Sequence, residues 1–162
     1  MDERDLQAFR LLWEHGLQHT PDAFLLTEDE ARSLSDTQVL SGLSAGHHWG
    51  ANVDGRLVGI ASMRPGTLSR LRHTADIGPL YVHPEFQRQG VARALMIGLL
   101  AHASNTGLLQ VELCVDARND AALSLYHSLG FQIFGTRRRS VIIDGFPRDD
   151  HLMMHVLPTA RA

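Results

Sequence analysis

The sequence predicts a mixed α/β domain in which helices cover both faces of one sheet. Three observations predict it. Helical patterns occupy the first forty-odd residues, apolar runs joined by the turn pair Asp54-Gly55 follow, and the rest alternates strand, helix, strand, helix before a second Asp-Gly turn at Asp144-Gly145.

Residues Asp5 to Leu17 place Leu6, Phe9, Leu12 or Trp13, and Leu17 at helical spacing, with charges between them. Thr27-Glu28-Asp29-Glu30 then reads as a helix start, because a threonine cap with glutamate three residues on can form a capping box. A second short helix is expected there. Trp49 to Val53 and Leu57 to Met63 read as a hairpin, broken by Arg64-Pro65-Gly66. Thr74 to Val82 is the next strand, closed by His83-Pro84, since proline cannot donate to a ladder and biases its predecessor away from helix. Gly90 to Asn105 is apolar nearly all round, as befits a helix packed between layers, and Gly107 stops it. Leu108 to Val115 reads as a central strand and Asn119 to Leu129 as a helix capped by Gly130. Phe131 to Ile143 and His151 to Leu157 are the closing strands.

Composition bounds the function. The 162 residues suit one domain with its own core, read as a single unit over 1–162. A net charge of −3 gives no general attraction to nucleic acid, so none is expected as a partner, and any anion site must be local. The start, Met1 to Asp5, is charged and no apolar run approaches the ~20 residues that span a bilayer. No membrane association and a cytoplasmic location are the expectations. Cys114 is the one cysteine, and its neighbours Leu113 and Val115 suggest a buried strand thiol.

The chemistry-bearing stretch is Tyr81-Val82-His83-Pro84-Glu85-Phe86-Gln87-Arg88-Gln89-Gly90-Val91-Ala92-Arg93. A strand ends, a polar loop follows, and a helix opens at a glycine. The first turn of a helix offers N–H groups outside the helical ladder and a dipole that favours negative charge. A phosphate fits such a place, with Gly90 permitting close backbone approach and Ala92 keeping bulk away. Neither a Walker loop nor a Gly-x-Gly-x-x-Gly pattern occurs here. His47, His48, His151 and His155 lack supporting carboxylate or cysteine spacing, so no metal is expected.

This stretch resembles the cofactor motif of the GNAT superfamily of N-acetyltransferases, Gln/Arg-x-x-Gly-x-Gly/Ala, through Gln87, Gly90 and Ala92. The resemblance extends through Tyr81 to Glu85 upstream and through Asn119, Ala122, Leu125-Tyr126 and Gly130-Phe131 downstream. It implies a mixed, mostly antiparallel sheet with a parallel V-shaped splay between the family's fourth and fifth strands, an acyl-CoA-binding core over 74–131, and helices over 1–45 on the acceptor side. It also implies acetyl-CoA as co-substrate and an amine as acceptor. Main-chain groups of Leu80 and Val82 would pair with the pantetheine arm, with Tyr81 between them also at the cofactor. Gln87, Arg88, Gln89, Gly90, Val91, Ala92 and Arg93 would hold the pyrophosphate, while Asn119, Ala122 and Ser124 would contact the cofactor from the later helix. The same resemblance makes Tyr126 the general acid for the departing thiolate and Asp76, eleven residues before Gln87, the candidate base. His73 is a second candidate. The reading that competes with an enzyme is a sensor domain that binds acyl-CoA without turnover.

Family members usually open with a strand, whereas helical spacing here begins at Leu6. A missing first strand leaves a sheet edge that a second copy could cover, making a homodimer one expectation.

Overall fold

The computed structural model describes residues 1–158. A 3₁₀ turn at Glu3–Asp5, capped by Asp2, leads into α1 (Leu6–His19), whose Phe9, Leu12, Gly16 and Leu17 are buried. Next come α2 (Glu28–Ser33) and α3 (Asp36–Ser44), where the sequence suggested one helix. The break has a local cause. Leu34 is extended at φ −71° and ψ 125°, and Ser35 starts a fresh helix with its own capping box through Gln38. The expected Thr27–Glu30 box is present: the Thr27 hydroxyl accepts from the Glu30 amide, and the Glu30 carboxylate accepts from the Thr27 amide.

The strands are β1 (His48–Val53), β2 (Arg56–Pro65), β3 (Thr74–Val82), β4 (Gln110–Asp116), β5 (Gln132–Ile143) and β6 (Phe146–Val156). Between them lie α4 (Val91–Asn105) and α5 (Asp120–Ser128). They form a six-stranded sheet in the order β1-β2-β3-β4-β6-β5. Both Asp-Gly pairs turn with positive φ at each residue, 49° and 79° for Asp54-Gly55 and 51° and 79° for Asp144-Gly145, as tight hairpins require. Pairing is antiparallel for β1 with β2, β4 with β6 and β5 with β6. It is parallel for β3 with β4, through Thr74–Gln110, Ala75–Val111 and Asp76–Glu112. Among the described residues no strand precedes α1, so β1 forms an edge. The parallel pair, third and fourth in this chain, is then fourth and fifth in the family's count.

The chain divides into two compact units, Met1–Ser62 with Pro79–Met96, and Met63–Gly78 with the chain from Ile97 on. In the first, Phe9, Leu12, Val39, Leu43, Ile60 and Tyr81 form the core. Tyr81 faces α1 and Phe24, whose ring centre lies 5.7 Å from its own. Its neighbour Val82 faces the opposite layer. A Cβ on Gly59 of β2 would meet Val91 and Leu95 of α4 at 3.1 Å and Val82 at 3.4 Å, so the missing side chain lets α4 lie close on the strands. Helices thus cover both faces. In the second unit Ala75, Ile77, Leu99, Val111, Leu113, Val115, Tyr126, Phe131 and Met153 are buried.

Cys114 corrects one expectation: it is exposed. Side chains alternate along β4, so while Leu113 and Val115 enter the core, Cys114 points to the other face with Glu112.

Candidate active site

In the first unit β3 ends at Val82, and the chain turns through His83 and a 3₁₀ turn, Pro84–Phe86. Three contacts brace this turn. The His83 amide donates to the Val58 carbonyl at 2.8 Å. The Gln87 side-chain amide donates to the Val82 carbonyl at 3.1 Å, and the Gln89 side-chain amide to the Glu85 carbonyl at 2.8 Å. Gln87, whose motif position suggests cofactor contact, thus ties the loop to the strand end, occupying one of the two lone pairs of the Val82 oxygen.

Arg88 and Gly90 both take positive φ, 60° and 85°. The second value explains the glycine, since a side chain there would be strained. A Cβ on Gly90 would meet nothing within 4 Å, so the space beside this backbone is open. Helix α4 makes its first bond from the Ala94 amide to the Gly90 carbonyl at 2.9 Å. The amides of Val91 and Ala92 therefore precede the helical ladder, at the positive end of a 15-residue helix. Gln87, Arg88, Gln89 and Gly90 are exposed, Val91 and Ala92 half-buried and Arg93 exposed, while Tyr81 and Val82 are buried and Leu80 half-buried. The structure brings this whole set into one unit.

Sequence reasoning missed the residues packed behind this loop. Arg56, the first residue of β2, pairs with Glu85 at 3.1 Å, donates to His83 Nε2 at 3.2 Å and lies 5.4 Å over the Phe86 ring. His15 of α1 has its Nδ1 2.8 Å from the Tyr81 hydroxyl. Nothing in the helical spacing of α1 marks His15 as touching β3. Trp13 and Phe24 pack against the core of this unit.

In the second unit Asp76 lies opposite Glu112 in the parallel ladder. Asp76 lies on the exposed face of β3, where partial desolvation and then the Glu112 carboxylate raise it above the ordinary aspartate range, with Arg64 opposing. Glu112 is itself held by the Gln110 side-chain amide at 2.7 Å. The candidate His73 is exposed.

The turn into α5 is built on two side-chain oxygens, one carboxylate and one amide. Asp116 accepts from the Arg118 amide at 2.8 Å, and Asn119 Oδ1 from the Ala122 amide at 3.0 Å. Asn119 is therefore the helix cap, its oxygen engaged and its amino group the part available for a ligand. Ala122 is half-buried and Ser124 exposed. Tyr126 is buried beside Phe131 at 5.8 Å between ring centres, and burial pushes its hydroxyl up to about 12. The hydroxyl therefore keeps its proton at neutral pH.

The stretch that holds the strand end, the glycine-opened helix and the asparagine-capped helix lies within residues 9–131, which the acetyltransferase (GNAT) family model matches. The chain belongs to the GNAT family. It is 39% identical over 103 residues to the N-alpha-acetyltransferase RimI of Mycobacterium tuberculosis, covering 61% of this chain and 60% of that protein. It is 42% identical over 77 residues to a mycothiol acetyltransferase of Nocardiopsis dassonvillei, covering 46% of this chain and 22% of the relative. The chain thus spans 60% of the first of these relatives and 22% of the second. Among solved structures, that of yncA, a putative acetyltransferase from Salmonella typhimurium with its cofactor acetyl-CoA, superposes with a TM-score of 0.86 at 23% identity, over all of this chain and 94% of that one. At that identity the likeness concerns the fold. Among the described residues no group of three or more His, Cys, Asp or Glu could hold a metal ion, and no helix is long and apolar enough to cross a membrane.

Proposed function

We propose that this protein transfers an acetyl group from acetyl-CoA to a primary amine, either of a small molecule or of a protein or peptide N-terminus. The observation that carries the reading is the open backbone at Gly90, where a braced loop delivers the amides of Val91 and Ala92 at a helix N-terminus. Charge-assisted hydrogen bonds of about 1.5–3 kcal/mol each would let a few such donors hold a pyrophosphate at micromolar affinity without a basic surface. This accords with the net charge of −3. The names of the relatives, an N-alpha-acetyltransferase and a mycothiol acetyltransferase, support an amine as acceptor.

Acetyl-CoA supplies an activated thioester; the chain supplies binding and proton management. An alkylammonium of pKa near 10.4 is only about 0.04% neutral at pH 7, a deficit of roughly 4.6 kcal/mol. Asp76, shifted upward, is suited to accept the proton that the amine must lose. As the carbon–nitrogen bond forms and the carbon–sulfur bond breaks, Tyr126 is suited to give its proton to the departing thiolate. Leu80 and Val82 offer main-chain groups at the end of β3 for the pantetheine amides.

The test is CoA release, followed with a thiol reagent, across a panel of amines and N-terminal peptides, beside calorimetry of CoA binding to Gly90→Glu. Turnover on at least one amine and loss of CoA binding in the variant are expected. Undiminished affinity in Gly90→Glu would place the cofactor elsewhere.

A further inference from the structure

The first unit holds a column of three imidazoles for which the cofactor reading has no use. His15 and His19, one turn apart on α1, stack with ring centres 4.0 Å apart and planes 12° from parallel. His15 also meets the His83 ring at 4.5 Å. Each ring is pinned. The His19 Nδ1–H donates to the His15 carbonyl at 2.9 Å, and His15 Nδ1 is bonded to the Tyr81 hydroxyl at 2.8 Å. Since a guanidinium only donates, His83 Nε2 accepts from Arg56, an arrangement that a doubly protonated ring could not keep.

The charged and titratable groups around His15 are His19 on its own helix, Tyr81 and His83 at and just after the end of β3, Glu85 in the loop and Arg56 on β2. One carboxylate already faces one permanent cation. A proton added at His15 is therefore a further positive charge beside two other imidazoles and a guanidinium, with Glu85 the one carboxylate opposing them. Tyr81 and His83, the two residues beyond its own helix that the His15 ring meets, flank Val82, whose carbonyl anchors Gln87 and with it the loop to Gly90.

We propose that neutral His15 is a positioning residue for the cofactor loop, fixing the Tyr81 hydroxyl and the His83 ring on either side of Val82, and that it releases them when the column takes up a proton. The proposal rests on the reading that Leu80 to Arg93 binds CoA. Desolvation, reinforced by His19, His83 and Arg56, lowers the His15 pKa. The neutral form thus prevails at neutral pH, and the brace is lost only on acidification below the ordinary imidazole value of about 6.5.

The experiment is calorimetry of CoA binding at about pH 7.5 and about pH 5.5 for the wild type, His15→Gln and Tyr81→Phe. Comparing proteins at the same pH cancels the titration of the CoA phosphates. The wild type should lose about twofold or more affinity on acidification beyond any loss in His15→Gln, which has no ring to protonate; an unshifted imidazole would set a ceiling of roughly tenfold over this interval, and the lowered value of His15 keeps the effect below it. Tyr81→Phe should weaken CoA about threefold or more at the higher pH, through the lost hydroxyl contact. Equal acid sensitivity in the wild type and His15→Gln would overturn the brace while leaving the cofactor site intact. No CoA binding by the wild type at the higher pH would instead overturn the cofactor reading, and the brace with it. A further readout needs no variant: in an amide NMR titration of the wild type, Val82 to Gln87 should move with the His15 ring, and amides that stay fixed as it titrates would refute the coupling.

Discussion

Asp76 and Tyr126 are both pushed toward their protonated forms, and the consequences differ because one is suited to take a proton and the other to give one. In the proposed mechanism Asp76 acts in its ionised form, so kcat/KM should rise with pH through its raised value and level off above it. Asp76→Asn should abolish that rise and lower kcat/KM on the order of 10²-fold, measured as a pH–rate profile. The effect on stability has the opposite sign. A carboxyl that binds its proton more tightly in the folded state loses stability as pH rises from the unfolded value of about 3.9 through the folded one, so Asp76→Asn should melt higher than the wild type at neutral pH. A variant that is both slower and more stable would mark Asp76 as a group held in an unfavourable site for its chemistry. For Tyr126, with a pKa of about 12, no alkaline loss of rate should come from its ionisation in the neutral range. Tyr126→Phe should lower kcat on the order of 10²-fold with little change in CoA affinity, by steady-state kinetics beside calorimetry. The candidacy of both residues was legible in spacing and resemblance. Glu112 was not, because which residue of β4 stands opposite Asp76 is set by strand register, which the sequence does not state.

At the scale of elements, local signals were read most faithfully where one side chain decides the backbone. The Thr27–Glu30 box, both Asp-Gly turns and the end of β3 at His83-Pro84 fall where sequence chemistry places them. The separate helix α3 was missed although Ser35 and Gln38 carry the same box, because Leu34 continues an apolar spacing that its extended backbone and the fresh cap at Ser35 interrupt. Ser35→Ala should therefore cost about 1 kcal/mol, read as a lower melting temperature, since it removes the hydroxyl that accepts from the Gln38 amide. Gly59 was invisible for another reason: within a strand pattern a glycine reads only as a weak position, and its use appears once α4 is packed against it. Gly59→Val would place methyl groups where Val91 and Leu95 already lie 3.1 Å from a Cβ. Overpacking there should cost about 1–3 kcal/mol and shift the start of α4, so a raised KM for acetyl-CoA should accompany the lower melting temperature. Lower stability with unchanged KM would show that the packing of α4 on β2 does not govern the cofactor loop.

At the scale of the molecule, charge and sheet edges set what the surface can meet. The triplet Arg137-Arg138-Arg139 lies on β5, an edge strand, and in the sequence alone it invites a nucleic-acid reading against a net charge of −3. The structure gives these arginines close acidic neighbours. Arg137 stands opposite Asp150 in the ladder, and the Arg139 amide donates to the Asp149 carboxylate at 2.8 Å. Between the pairs Arg137–Asp150 and Val141–Arg148, β5 carries a bulge, with Arg139 at φ 50°. Such a bulge bends an edge strand and discourages another chain from extending the sheet. Phosphate backbones reward several cations in a continuous track, with a salt slope of roughly −0.9 per neutralised phosphate, whereas here the bulge interrupts the run and acids lie beside Arg137 and Arg139. Fluorescence anisotropy with labelled duplex DNA and single-stranded RNA should thus show no binding at physiological salt. The triple change to alanine should leave that result, and the CoA dissociation constant, unchanged. A weakened CoA constant in the triple variant would instead give these arginines a role at the 3′-phosphate, the one anion of the proposed cofactor that the Gly90 loop does not account for.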